Sequence, residues 1–162
     1  MSVKFSADEI FEMAEELERN GAKFYRQVSN CFVDEKFKGL LKKLAQMEDE
    51  HLETFKAMRK ELSEQEKEVT TYDPEDEASM YLRAMADGHV FRIKEDPCKN
   101  LTGDETREDI LNMALDSEKD SIVFYLGLRD FVSSKSGKEK IDAIIREEMG
   151  HISIINKQMA EI

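Results

Sequence analysis

The sequence predicts an all-α protein built as a bundle of four long helices in two helical hairpins. Glycine and proline are scarce, 7 and 2 among 162 residues, whereas a β-sandwich or barrel needs many turn residues. Apolar residues recur at steps of three and four along four long segments, as on the buried face of a helix. The chain also matches itself when it is shifted by 100 residues.

Each long segment carries a start signal. Three of them begin with a serine or threonine followed three residues later by glutamate, which is the capping-box pattern: Ser6 to Glu9, Thr102 to Glu105, and Ser136 to Glu139. Asp34 can cap the remaining helix, the second in the chain. Short breaks at 30–34 and 133–137 join helices one to two and three to four, which makes each pair antiparallel neighbours.

These breaks divide the chain into hairpin one, about 6–62, a crossover, about 63–101, and hairpin two, about 102–162. The crossover is predicted to contain an acidic turn at 73–77 and then a short extra helix at about 77–90. No linker between independent units is visible, so we expect one domain over residues 1–162.

Charge and composition exclude several function classes. The formal net charge is −12, which repels nucleic acid and anionic lipid surfaces. No apolar run approaches about 18 residues, and no signal-peptide pattern opens the sequence, so we expect a cytoplasmic protein. Cys31 and Cys98 are far apart and are expected to be two reduced thiols.

The internal repeat places ionisable residues at matching positions. Shifting by 100 residues superposes Glu18, Tyr25, Glu48 and His51 on Glu118, Tyr125, Glu148 and His151. The two glutamates of each half are 30 residues apart, and their midpoints, residues 33 and 133, fall at the two predicted turns. Each glutamate pair should therefore lie at one height in the bundle, since residues at one level of a hairpin are equally far from its turn.

Six of these residues lie on apolar stripes, where an isolated charge is costly to bury. Four carboxylates close together repel one another, and two divalent cations would neutralise them. Glu and His three residues apart on a helix point the same way and can hold metals jointly, as in di-iron and di-manganese bundles. The predicted ligands are Glu18, Glu48, His51, Glu118, Glu148 and His151. Iron and manganese accept the same ligands, so the residues by themselves predict a pair of iron or manganese ions.

Together, Glu18 with Tyr25, Glu118 with Tyr125, and the two Glu-x-x-His motifs resemble the ferritin-like superfamily, above all the rubrerythrin- and bacterioferritin-type dinuclear iron proteins. The resemblance covers the four main helices and implies a ferritin-like bundle whose cofactor is two iron ions, with manganese as the alternative. It also implies that Glu48 and Glu148 bridge the two metals. The terminal ligands would be Glu18 with His51 and Glu118 with His151, with the assignment of each histidine to a metal left open.

The sequence departs from these relatives at three points. Rubrerythrins have a four-cysteine rubredoxin-like iron site, which this sequence lacks, so an external electron donor protein is expected. They also have a further glutamate where this chain has Ser121, which weakens the expectation of rubrerythrin-type peroxidase cycling. Ferritins continue into a fifth helix that helps to build a cage, and none is expected here.

Other residues allow more than one interpretation. Tyr25 and Tyr125 lie seven residues, about 10.5 Å, beyond the glutamate of their own helix and cannot reach it. Across the bundle each could donate a hydrogen bond to a ligand carboxylate; the alternative is an ordinary core tyrosine. His89, in the crossover, is expected to be a capping or surface residue, with a gate or extra ligand as the alternative.

Three functions fit these observations. The first is an oxidoreductase that reduces O₂ or peroxide at a di-iron site with electrons from an external donor, in oxidative-stress defence. The second is a ferritin-like protein that binds or buffers iron without turnover. The third is a metal-free bundle that serves as a platform for a partner. A homodimer is suggested by the resemblance alone.

Overall fold

The computed structural model describes residues 6–62, 77, 80, 81, 84, 96–132 and 134–162. Over these ranges the chain forms four long helices and no strand, which confirms the predicted fold class. The helices are α1 (Ala7–Ser29), α2 (Glu35–Lys60), α3 (Arg107–Phe131) and α4 (Lys135–Ala160). Helix α1 packs along α2, and α3 along α4, so the two predicted hairpins are present.

The first hairpin begins as the sequence predicts. The Ser6 hydroxyl accepts a hydrogen bond from the Glu9 backbone N–H at 3.2 Å, and the Glu9 carboxylate accepts one from the Ser6 N–H at 2.8 Å. This is a complete capping box, which satisfies two backbone donors that the first turn leaves unpaired. The Asp34 carboxylate accepts from the Phe37 N–H at 3.0 Å and caps α2 in the same way.

The predicted cap of α3 was wrong by four residues. Thr106, not Thr102, caps this helix, and it forms a reciprocal capping box with Asp109. Thr102 does bond to the Glu105 carboxylate, but Gly103 has a φ of +90°. That left-handed backbone turns the chain and prevents a helix from starting at Thr102.

The predicted cap of α4 was wrong by two residues. Ser134 replaces Ser136 as the cap, and its hydroxyl accepts from the Gly137 N–H at 3.0 Å. A Cβ atom at Gly137 would lie 2.7 Å from both Ser134 Oγ and Val132 Cγ1. Glycine at this position therefore leaves room for the Ser134 and Val132 side chains to pack against the first turn of α4.

Part of the crossover is described. Four positions within the predicted extra helix have helical backbone: Glu77, Met80, Tyr81 and Ala84. The Tyr81 hydroxyl donates to the Val123 carbonyl oxygen at 2.6 Å and so contacts α3. Residues 73–76 of the predicted acidic turn, and His89, lie outside the described residues.

Both cysteines are free thiols, as predicted; Cys31 is exposed and Cys98 is buried. Burial, together with the negative charge of Asp96, raises the pKa of the Cys98 thiol. This thiol therefore stays protonated and poorly nucleophilic near neutral pH.

The bundle core consists of two apolar clusters, one toward each end. The first joins the start of α1 and the ends of α2 and α3, through residues such as Phe11, Phe55 and Leu128. The second joins the end of α1 and the start of α3, through residues such as Val28 and Leu111. Between them, at mid-height, lies a layer of buried ionisable side chains. No helix in the described ranges is both long and apolar enough to cross a membrane.

Arg59 ties α2 to α1 through several carboxylates. Its guanidinium donates to Asp8 through two nitrogens, at 2.7 and 2.8 Å, and lies 3.5 Å from Glu15 and 3.7 Å from Glu12. These hydrogen bonds and charges raise the pKa of Arg59. The side chain is only 26% exposed, so the contacts are partly shielded from solvent.

We expect Arg59→Met to lower the free energy of unfolding by about 1–2 kcal/mol, because a two-nitrogen, partly buried contact is lost. Arg129→Met is the matched control. Within the part of the chain that the structure describes, Arg129 pairs with Asp142 alone, at 2.9 Å, and is 44% exposed, so its loss should cost less than about 1 kcal/mol. Urea unfolding measures both variants, and equal losses would contradict this role of Arg59.

Candidate metal centre

The buried layer at mid-height brings together all six of the residues that the sequence singled out. Each of the four helices contributes, because the glutamates lie on the inward faces of α1 and α3 and the Glu-x-x-His motifs on those of α2 and α4. None of the six is more than 4% exposed: Glu18, Glu48, His51, Glu118, Glu148 and His151. The expectation that the glutamates of each hairpin share one height is confirmed by their proximity.

The six side chains form two overlapping groups of potential metal ligands. The ligand atoms of each group lie within 4.8 Å of one another. One group is Glu18, Glu48, His51 and Glu148, and the other is Glu48, Glu118, Glu148 and His151. Glu48 and Glu148 belong to both groups, whereas each histidine belongs to one. The arrangement has the form of two adjacent cation positions that share two carboxylates.

The histidines face the carboxylates through the same ring nitrogen. His51 Nδ1 lies 3.2 Å from Glu148 and 3.5 Å from Glu18. His151 Nδ1 lies 2.9 Å from Glu148 and 3.2 Å from Glu48. The two imidazole rings are stacked, with centroids 5.6 Å apart and an interplanar angle of 18°.

Several atoms of the layer are buried without a hydrogen-bond partner in the described part of the chain. They are Glu18 Oε2, Glu48 Oε1, both carboxylate oxygens of Glu148, His51 Nδ1 and His151 Nε2. Buried polar atoms are normally paired, since an unpaired one costs about 1–3 kcal/mol. The four oxygens among them each lie within 3.5 Å of a histidine Nδ1. Their oxygen and imidazole chemistry fits divalent iron or manganese.

The charges in this layer shift the titration of both histidines. Burial opposes the charged imidazolium, but the close carboxylates of Glu148 and Glu18 outweigh it and raise the pKa of His51 to about 11. Likewise, burial is outweighed by Glu118, Glu148 and Glu48, which raise the pKa of His151 to about 12. Without a metal ion, both imidazoles therefore hold two protons at neutral pH.

The glutamates of the layer respond in opposite directions. Burial, and then the negative charges of Glu48 and Glu148, raise the pKa values of Glu18 and Glu118 well above the usual range. Burial also acts to raise the pKa of Glu148, but contacts with His151 and His51 hold it below the usual range. The metal-free layer thus keeps its charge small by holding protons on particular groups.

Two tyrosines connect the hairpins across this layer. The Tyr25 hydroxyl donates to Glu118 Oε1, and the Tyr125 hydroxyl donates to Glu18 Oε1. Each therefore reaches a carboxylate on the opposite helix rather than on its own, as the spacing predicts. Burial, and the charges of the carboxylates that they contact, raise the pKa values of both tyrosines. Their hydroxyls accordingly remain donors at any moderate pH.

Sequence reasoning missed two neighbours of the layer. A Cβ atom at Gly21 would lie 3.1 Å from Glu48 Oε2, so glycine leaves room for that carboxylate. Glu147 Oε2 lies 2.8 Å from His51 Nε2. Both positions differ between the repeats, where Gly21 corresponds to Ser121 and Glu147 to Met47. That difference was the signal available in the sequence.

Four long helices in two hairpins, with four glutamates and two histidines buried at mid-height, define a ferritin-like bundle. The chain belongs to the ferritin-like domain family, whose model matches residues 6–161. No curated protein matches the chain.

A solved structure supports the same fold. It is a crystal structure from Thermotoga maritima, described as a candidate ferritin-like diiron-carboxylate protein. The TM-score is 0.72 with 22% sequence identity, and the match covers 99% of each chain. At this identity the similarity establishes the arrangement of the helices.

The raised pKa values of His51 and His151 predict how the stability of the metal-free chain changes with pH. Both folded-state pKa values lie above the unfolded value of 6.5, so the folded chain binds more protons than the unfolded chain above that pH. The stabilisation that the two histidines contribute is therefore complete below about pH 6.5, and the free energy of unfolding should fall as pH rises from there toward about 11. Urea unfolding in the presence of a chelator, between about pH 6 and 9.5, avoids lysine titration.

His51→Gln should make this decline smaller, because one of the two imidazoles with a raised pKa is gone. An unfolding free energy that stays constant or rises over this range would contradict the proposed proton positions.

We expect Tyr25→Phe to lower the free energy of unfolding of the metal-free chain by about 1–3 kcal/mol, because it leaves a buried carboxyl oxygen of Glu118 without its donor. Tyr81→Phe is the control, since it removes a hydroxyl bond made near the surface to the Val123 carbonyl. That change should cost less than about 1 kcal/mol. If the two variants are equally stable in urea, the buried bond does not contribute as argued.

Proposed function

We propose that this protein is a dinuclear metal-carboxylate oxidoreductase. The metals are two iron ions, with manganese as the alternative. The oxidant is O₂ or peroxide, and the electrons come from an external donor protein. The observation that carries the proposal is the pair of overlapping four-residue groups, buried and sharing Glu48 and Glu148. A solved structure of the same fold, described as a candidate diiron-carboxylate protein, supports the choice of metal.

Each of the two metal positions would have two ligands of its own and two that it shares with the other position. Glu18 and His51 would bind one ion, Glu118 and His151 the other, and Glu48 and Glu148 both. Two ferrous ions held there would supply one electron each to an oxidant bound beside them. Nδ1 of each imidazole faces the carboxylates and would be the nitrogen that holds a metal, which would require that nitrogen to give up its proton.

The surrounding side chains orient the ligands and exclude water. The hydroxyls of Tyr25 and Tyr125 fix one oxygen each of Glu118 and Glu18, which leaves the other oxygen of each carboxylate directed toward a histidine. Apolar clusters above and below keep the layer dry, which strengthens every charge interaction within it. Such outer partners hold metal ligands in one orientation.

An external reductant is part of the proposal. The two cysteines, Cys31 and Cys98, are free thiols on different segments and form no disulfide that could pass electrons to the metals. Ser121 is buried one turn after Glu118 and supplies no carboxylate. We therefore propose a fixed ligand set rather than one that exchanges a glutamate during turnover.

Anaerobic loading with ferrous iron should give about two ions per chain. Addition of O₂ or H₂O₂ should then oxidise them, and a chemical reductant should restore the ferrous form for repeated cycles. The optical absorbance of the bound iron and the consumption of the oxidant, recorded on the same sample, follow the oxidation step and the reduction step. A single oxidation with no recovery under any reductant would favour an iron-binding or iron-buffering protein.

Glu18→Ala combined with Glu118→Ala is the control for this experiment. The double variant should lose iron uptake, because each position loses its own carboxylate. It should stay folded, as circular dichroism can check, but its metal-free form should be less stable than the unchanged chain, because the buried Tyr25 and Tyr125 hydroxyls lose their acceptors. If the unchanged chain takes up no metal, the protein is instead a metal-free bundle.

A further inference from the structure

The two histidines of the candidate metal centre are held differently at their outer nitrogen. His51 Nε2 lies 2.8 Å from the carboxylate of Glu147, whose side chain is 52% exposed. His151 Nε2 is buried and has no hydrogen-bond partner among the residues that the structure describes. The layer is thus symmetric in its ligands but not in what supports them.

The internal repeat locates the difference at one position. Glu147 directly precedes Glu148 on α4, and the residue that directly precedes Glu48 on α2 is Met47. A thioether sulfur is a weak hydrogen-bond acceptor, whereas a carboxylate oxygen is a strong one. The half of the site that contains His151 therefore lacks the counterpart of Glu147.

This contact selects the tautomer of His51. A carboxylate oxygen can only accept, so Nε2 carries the hydrogen and donates it to Glu147. In the neutral ring the lone pair is then on Nδ1, the nitrogen that lies 3.2 Å from Glu148. The hydrogen bond also fixes the ring plane and makes Nδ1 a better electron-pair donor to a metal.

We propose that Glu147 is a positioning residue that makes the two metal positions unequal, so that the position containing His51 binds a divalent cation more tightly and fills first. This inference rests on the metal centre proposed above. Outer carboxylate partners of ligating histidines change metal affinity by about 10–100-fold. The two stepwise dissociation constants should differ by a factor of that order.

Anaerobic titration with Co²⁺ alone tests this, with calorimetry and the visible absorption of bound Co²⁺ as readouts. In the unchanged chain we expect two steps separated by about 10–100-fold. Glu147→Met copies the other half of the repeat, so the tighter step should weaken until the two steps merge. Glu147→Gln keeps an acceptor oxygen and should lose less affinity than Glu147→Met. Met47→Glu should strengthen the weaker step.

Variants that keep only one of the two metal positions distinguish the effect of the Glu147 hydrogen bond from that of losing a negative charge. His151→Ala keeps the position of His51, and there Glu147→Met should weaken Co²⁺ binding by about 10–100-fold. His51→Ala keeps the other position, where the same change should alter binding by less than about threefold. Equal effects in the two backgrounds would overturn the proposal.

The outcomes separate this inference from the proposed function. If the unchanged chain binds no Co²⁺, the metal centre is wrong and the role of Glu147 falls with it. If it binds two ions and Glu147→Met leaves both dissociation constants unchanged, only the role of Glu147 is overturned. Circular dichroism checks that each variant is folded, and should the histidine variants unfold, the comparison of the unchanged chain with Glu147→Met decides.

Discussion

The structure depends on the cost of burying six ionisable groups at the centre of a narrow bundle. Apolar clusters lie on both sides of this layer and its six side chains are at most 4% exposed, so solvent screens their charges weakly. Either protons or cations must balance four carboxylates there. The hairpin turns place these groups at one height, and the two tyrosines reach across the bundle to hold two of the glutamates there. At that height two cations could share the carboxylates of Glu48 and Glu148.

Neither hairpin holds a complete ligand group. Hairpin one supplies Glu18, Glu48 and His51 to one group, which needs Glu148 from hairpin two. Each tyrosine likewise donates to a glutamate of the other hairpin. The layer is thus an interface between the two hairpins, and a change to it acts on their association as well as on the site.

The two hairpins share the same ligand positions but differ in the residues around them. Arg59 and Glu15 form a charged cluster in hairpin one, where the repeat has Met159 and Leu115 in hairpin two. Glu147 against Met47 is the same kind of difference, but it lies beside a ligand. Differences far from the layer adjust stability, whereas those that touch it can make the two positions unequal.

The sequence by itself determined the helical class, the two hairpins and the six buried ionisable residues. These follow from the helical periodicity of the apolar residues and from a sequence repeat that places equivalent residues at equivalent positions of the two hairpins. It misplaced the caps of α3 and α4, because overlapping cap patterns are chosen by the connecting turns, as at Gly103 and Gly137. Only the tertiary structure decided which histidine joins which glutamate and where Glu147 points. The contacts of His51 with Glu147 and Glu148 cross between hairpins, and no spacing along one helix specifies them.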